Sequence, residues 1–157
     1  MLTIQVFMSD TKVDKLVFNF NTELLKVTQW LNDNKLVLNV NKTKCIFFTH
    51  KKIDFNNITV QMNNTNITIT NSLKFLGVTI DCKLSWHNHI NEICNKLAKC
   101  LGVMYKLKSF PRNILLMIYN AIISPHLHYC NTAWSNTANY SMQRLFRLQK
   151  KSCTDCF

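Results

Sequence analysis

The sequence predicts an α+β fold, with short strands and one long helix in its first half and helices in its second. Three observations carry that reading. Apolar residues between Thr11 and Asn32 recur at helical spacing, two short runs between Ile58 and Thr70 alternate as strands do, and from Trp86 onward the period is helical again. The chain has 157 residues and is 47% hydrophobic, enough for a core without disulfides. It contains two Gly and two Pro, too few for the many tight turns of an all-β sandwich.

The elements follow in order. Residues 2–8, LTIQVFM, are rich in β-formers and read as a short strand. Asp10 or Ser9 can cap the helix that follows. Val13, Val17, Phe20, Leu24, Val27 and Leu31 then form the apolar stripe of a helix packed on a sheet, and NDNK interrupts it. Residues 36–48 read as strand around the polar step Asn41-Lys42-Thr43-Lys44, and residues 58–70 as a hairpin about Asn63–Asn66. Residues 73–81, LKFLGVTID, read as one further strand. Gly77 within it lets a backbone or ligand approach closely, or marks a bulge. Helix is expected over 87–110, with Ile90, Ile93, Leu97, Leu101 and Tyr105 on one face. Pro111 can sit in a first helical turn, residues 114–123 are apolar nearly all round and read as a buried helix, and Pro125 should end it. Residues 141–151 form a basic amphipathic helix. A border is expected near 84–86, giving regions 1–84 and 85–157.

The formal net charge is +11, from 19 Lys and Arg against 8 Asp and Glu, and such an excess attracts polyanions, nucleic acid first. Seven scattered Cys, with no signal peptide in MLTIQVFMSDTKVDK, read as reduced thiols in an intracellular setting, nuclear or cytoplasmic. No apolar run reaches the ~18 residues of a membrane span, so no membrane partner is expected.

Two-metal nucleotidyl transfer needs carboxylates aimed at ions about 3.5–4 Å apart. No two acids of this chain are adjacent, and for Asp10 and Asp14 a place beside a helix N-terminus suffices. His126, His128 and Cys130, with Cys153 and Cys156, are zinc-ligand types, but no second paired motif stands at finger spacing and no metal site is assigned. Lys42 and Lys44 flank Thr43. Lys96, Lys99, Lys106, Lys108, Arg112, Arg144, Arg147, Lys150 and Lys151 populate the second half, where they can follow a nucleic-acid backbone or face solvent.

Three stretches, QWLNDNKLVLNVNKTKCIFF, LKFLGVTIDCKLSWHNHI and YNAIISPHLHYCNTAW, followed by Leu148-Gln149-Lys150, resemble the C-terminal part of the reverse transcriptase of non-LTR retrotransposons, of the LINE or jockey-like kind. The matches are ordered, correctly spaced and cover nearly the whole chain. The resemblance implies the end of a polymerase palm, antiparallel strands with one long helix, over 1–84, and a helical thumb over 85–157. Lys42 would be the lysine of the fourth polymerase motif, beside the nucleotide's phosphates and a proton donor to the leaving pyrophosphate. Phe75, Leu76, Gly77 and Val78 would be the primer grip. Lys96, Lys99, Lys106, Lys108 and Arg112 would lie along an RNA/DNA primer–template.

The sequence also departs from the family. A Tyr/Phe-Ala-Asp-Asp turn should precede TIQVFMS, and the two aspartates are absent; the remaining palm and the fingers would lie upstream. KKSCTDCF replaces the usual continuation after Leu-Gln-Lys. Mg²⁺ is therefore expected only for the complete polymerase, with no cofactor in this chain. The chain alone is expected not to catalyse RNA-templated DNA synthesis. A non-catalytic nucleic-acid-binding remnant and a fragment without function are the alternatives.

Overall fold

The computed structural model describes residues 5–39, 42–51, 58–63 and 65–154. They form α1 (Val13–Asp33), β1 (Lys44–Cys45), β2 (Gln61–Met62), β3 (Thr65–Asn66), β4 (Thr68–Ile69), β5 (Ser72–Phe75), β6 (Val78–Asp81), α2 (His87–Lys106), α3 (Arg112–Ile122), α4 (Ser124–His128), α5 (Asn131–Trp134) and α6 (Asn139–Thr154). Helices combine with two-stranded sheets, so the fold is α+β. The chain divides into two units, Met1–Leu73 and Lys74–Phe157, which groups Val78–Asp81 with the helices that follow it.

In the first unit, Asp10 stands just ahead of α1. Its carboxylate accepts the N–H groups of Thr11 (2.7 Å) and Lys12 (3.2 Å), while the N-cap position itself, Lys12, has no side-chain cap. The helix ends in a Schellman motif. Lys35 adopts a left-handed conformation (φ 54°), its N–H bonds to the Asn32 carbonyl at 2.9 Å, and the Leu36 N–H reaches back to Leu31 at 2.8 Å. The predicted stripe faces the core: Leu24 and Leu31 are buried with Val60, Met62 and Ile67, and Phe20 and Val27 pack against them.

The hairpin forms as its alternation predicts, with Gln61 opposite Asn66 and Met62 opposite Thr65, although Asn64 lies outside the described residues. Asn21 ties it to the helix: its amide donates to the Thr59 carbonyl (3.1 Å) and its Oδ1 accepts the Gln61 N–H (3.0 Å). Two expected strands do not form as expected. Residues 5–8 carry no strand, and residues 2–4 lie outside the described residues. Among the described residues of 36–48, only Lys44–Cys45 is strand, paired in parallel with β4, and Val37 is fully exposed. An extended segment becomes a strand only where a neighbour takes its N–H and C=O groups, and β4 offers two residues.

In the second unit, the expected single strand over 73–81 is a hairpin, β5 and β6, about Leu76-Gly77. Both turn residues have positive φ, 46° and 84°, the signature of a type I′ turn. A Cβ on Gly77 would meet only the Tyr129 ring, at an ordinary 3.6 Å. Conformation rather than space explains the glycine.

Helix α2 is the centre of this unit's core. Ile90, Ile93, Cys94, Leu97 and Met104 are buried with Ile123, Leu127, Trp134 and Leu145. Fully burying each such Ile, Leu or Met contributes about 1.5–3 kcal/mol. The helix stops at Lys106 rather than 110, and Met104 takes the core position expected of Tyr105, which is exposed. The apolar helix over 114–123 is not buried all round: only Leu115 is buried within α3, while Leu116 and Met117 are exposed. Its length lets one face reach the core. α3 ends at Ile122, ahead of Pro125 as expected, but Ser124, the residue before that proline, stays helical and opens α4.

Because Lys35 occupies a conformation that disfavours a side chain, Lys35→Gly is expected to stabilise the first unit by about 1 kcal/mol. Thermal unfolding of the two chains checks this; an unchanged or lower midpoint would contradict it.

Candidate nucleic-acid interface

The second unit begins with the organisation of a loop. The Asp81 carboxylate accepts the N–H groups of Lys83 (3.0 Å), Ser85 (3.1 Å) and Trp86 (2.9 Å) and the Ser85 hydroxyl (3.1 Å). Burial alone would push its pKa up, but these donors outweigh that and hold the carboxyl below its ordinary range. Under them Leu84 (φ 53°) and Trp86 (φ 60°) both take left-handed backbone conformations, unusual for bulky side chains. Trp86 is the N-cap of α2, and its carbonyl accepts the first helical bond, from Ile90 at 2.9 Å.

That start places His89 and Glu92, three residues apart on one helical face, against the hairpin. His89 Nδ1 accepts the Thr79 N–H at 3.3 Å. Glu92 accepts the Thr79 hydroxyl (2.8 Å) and the Lys74 ammonium (3.0 Å), so one carboxylate binds both strands. The Thr79 and Lys74 bonds hold Glu92 below the usual carboxylate range. Burial pushes His89 down, and Lys96 and Lys74 add to this against the opposing pull of Glu92. His89 is therefore neutral, with its proton on Nε2, which is buried without a partner. The His89 ring meets Trp134 edge to face, centroids 6.0 Å apart.

Trp134 in turn donates its indole N–H to the Tyr129 carbonyl (3.0 Å), and the Tyr129 hydroxyl donates to the Leu76 carbonyl at the hairpin turn. Two of the stretches quoted for the family resemblance, 73–90 and 119–134, are thus joined by the Tyr129–Leu76 hydrogen bond and the His89–Trp134 ring contact.

The candidate binding residues fall as follows. Leu76 and Gly77 are exposed at the turn, Phe75 is half-buried and Val78 is buried, so Val78 contributes packing. Lys96, Lys99, Lys106, Lys108 and Arg112 are all exposed. Lys99 and Lys106 share the outward face of α2, two turns apart, about 10.5 Å along the axis. Lys108 lies over the Tyr105 ring, its nitrogen 4.7 Å from the centroid. Arg144 is committed to Asn91 (2.7 Å).

Lys42 belongs to the other unit, where it is exposed. Its N–H bonds to the Asn39 carbonyl (3.1 Å) and Asn39 Oδ1 (3.2 Å), and the Thr43 hydroxyl donates to the same carbonyl (3.0 Å). Asn39, Lys42 and Thr43 are thus joined by local hydrogen bonds.

Among the described residues no three His, Cys, Asp or Glu side chains gather to hold a metal, and Asp81 and Glu92 are spent on the contacts above. His128 donates from Nδ1 to the Ser124 carbonyl (2.8 Å), and Cys156 lies outside the described residues. No helix among the described residues is long and apolar enough to cross a membrane.

Sequence reasoning assigned no role to Asp81, His89, Glu92, Tyr129 or Trp134. A signal for two of them was present: His89 and Glu92 sit three apart at a helix start.

Asp81→Ala is expected to destabilise the second unit by about 2 kcal/mol, since it leaves several donors unpaired; a thermal midpoint within a degree or so of the parent would refute the assignment. The His89 prediction concerns pH. The unfolded chain takes up the proton near the ordinary value of 6.5, the folded chain only at lower pH. Stability is thus full above that value and falls as pH drops through the window beneath it. His89→Asn, which keeps an acceptor but does not titrate, should flatten this part of a melting-midpoint profile; an unchanged slope would assign the loss elsewhere.

No protein-family model, no curated protein and no solved structure matches this chain.

Proposed function

We propose that this chain is a nucleic-acid-binding piece of a non-LTR retrotransposon reverse transcriptase, acting in the nucleus or cytoplasm. Its helical unit lies along the sugar–phosphate backbone of a primer–template, and the chain alone does not polymerise. The observation that carries the reading is the distribution of charge. Residues 74–157 hold eleven Lys and Arg against three Asp and Glu, net +8 of the chain's +11, and no acid lies between Glu92 and Asp155. The two acids described there are engaged in internal contacts, Asp81 with backbone donors and Glu92 with Lys74 and Thr79. A polyanion meets a field with little opposing charge.

The mechanism is electrostatic contact with positional support. Lys99 and Lys106 neutralise phosphates from one helical face, and the Leu76-Gly77 turn, held by the Tyr129 hydroxyl, offers a second, fixed edge. Release of condensed counterions drives association, so affinity depends on salt.

Titration of the chain with an RNA–DNA hybrid is expected to give affinity that falls with salt at a log–log slope of about −0.9 per phosphate neutralised. Lys99→Ala and Lys106→Ala should each reduce that slope by about 1. Primer extension with Mg²⁺ should yield no product. Salt-independent affinity, no binding, or template-directed product would each overturn the proposal.

A further inference from the structure

We propose that the corner between α2 and α3 is a stacking platform for the bases of a single-stranded nucleic acid, with Tyr105 and Phe110 taking the bases and Lys106 and Lys108 the phosphates. The inference rests on the nucleic-acid reading above and adds to it a site and a strand state.

Tyr105 is 57% exposed and Phe110 48% exposed. Helical spacing would have buried Tyr105, but Met104 fills the core at that level and turns the ring outward. The corner that follows is short and well bonded, with the Leu107 N–H on Met104 and the Phe110 N–H on Leu107, both at 2.9 Å. Half-buried Leu107 anchors it, so the two aromatics leave the core within one turn of chain. Cations stand between them: Lys106 is exposed, and the Lys108 ammonium sits over the Tyr105 ring at 4.7 Å. The ring therefore already holds a cation against its face, where a phosphate can meet it while a base stacks alongside.

Charge and chemistry select the occupant. No acid lies within the stretch from Ile93 to Thr154, which disfavours a cationic peptide. An anionic partner with planar apolar faces satisfies both the cations and the rings. In a duplex those faces are stacked on one another and closed to Tyr105 and Phe110; in a single strand they are open.

The test measures the full chain against a fluorescent thymidine oligomer of about a dozen nucleotides and against an RNA–DNA hybrid. The double variant Tyr105→Ala/Phe110→Ala should lose about tenfold or more in affinity for the oligomer, with its salt slope and hybrid affinity unchanged. Tyr105→Phe/Phe110→Tyr, which keeps both rings, should bind as the parent does. Thermal melting of each variant separates lost stacking from lost fold. Undiminished oligomer affinity in the folded alanine variant overturns the platform, as does parent binding to the hybrid with none to the oligomer, which leaves the wider proposal standing. Failure of the parent to bind either probe overturns both.

Discussion

The helical unit depends on one carboxylate. Asp81 closes the strand Val78–Asp81, and by gathering three backbone N–H groups and one hydroxyl it sets the path of the next five residues. That path is strained at Leu84 and Trp86, and only a group that satisfies several donors at once can offset two left-handed bulky residues. The loop's end fixes where α2 begins and hence which of its side chains face the hairpin. His89 and Glu92 reach Thr79 and Lys74 because the helix starts at His87. A start one residue later would rotate both by about a quarter turn.

The hairpin is held by donors and acceptors from two places in the chain. Glu92 and His89 take it from α2, and Tyr129 takes the turn from the segment after α4. The exposed Lys74–Glu92 pair adds only a few tenths of a kcal/mol by itself, because solvent screens it. Its value is geometric, since the same carboxylate also binds Thr79. His89 has a cost: its Nε2 is buried without a partner. The imidazole can be kept neutral there because Nδ1 is already an acceptor and the surroundings penalise a charge.

The two acids described in this unit, Asp81 and Glu92, are spent on internal contacts, while Lys96, Lys99, Lys106 and Lys108 are exposed. The unit's exposed apolar groups, Leu76 at the turn, Tyr105 and Phe110 at the corner and Met117 on α3, lie among bases in sequence rather than among acids.

The sequence by itself determined the four longer helices, the hairpin at Gln61–Asn66 and the burial of Ile90, Ile93 and Leu97, because these follow from periodicities local to the chain, whereas the short helices Ser124–His128 and Asn131–Trp134 have too few residues to show one. It also determined the charge, which needs no fold to be counted, and which residues belong to the resembling motifs. It did not determine that LKFLGVTID folds back on itself, since a type I′ turn at Leu-Gly lacks the usual Asn-Gly signal and its alternatives, bulge and straight strand, read alike. Nor did it show that residues 36–39 and 42–43 stay outside any ladder, because a strand exists only with a partner. The network joining Asp81, His89, Glu92, Tyr129, Trp134 and Leu76 spans contacts up to 53 residues apart in the chain. Local pattern carries no record of such contacts; only packing the helices around α2 brings those atoms within bonding distance.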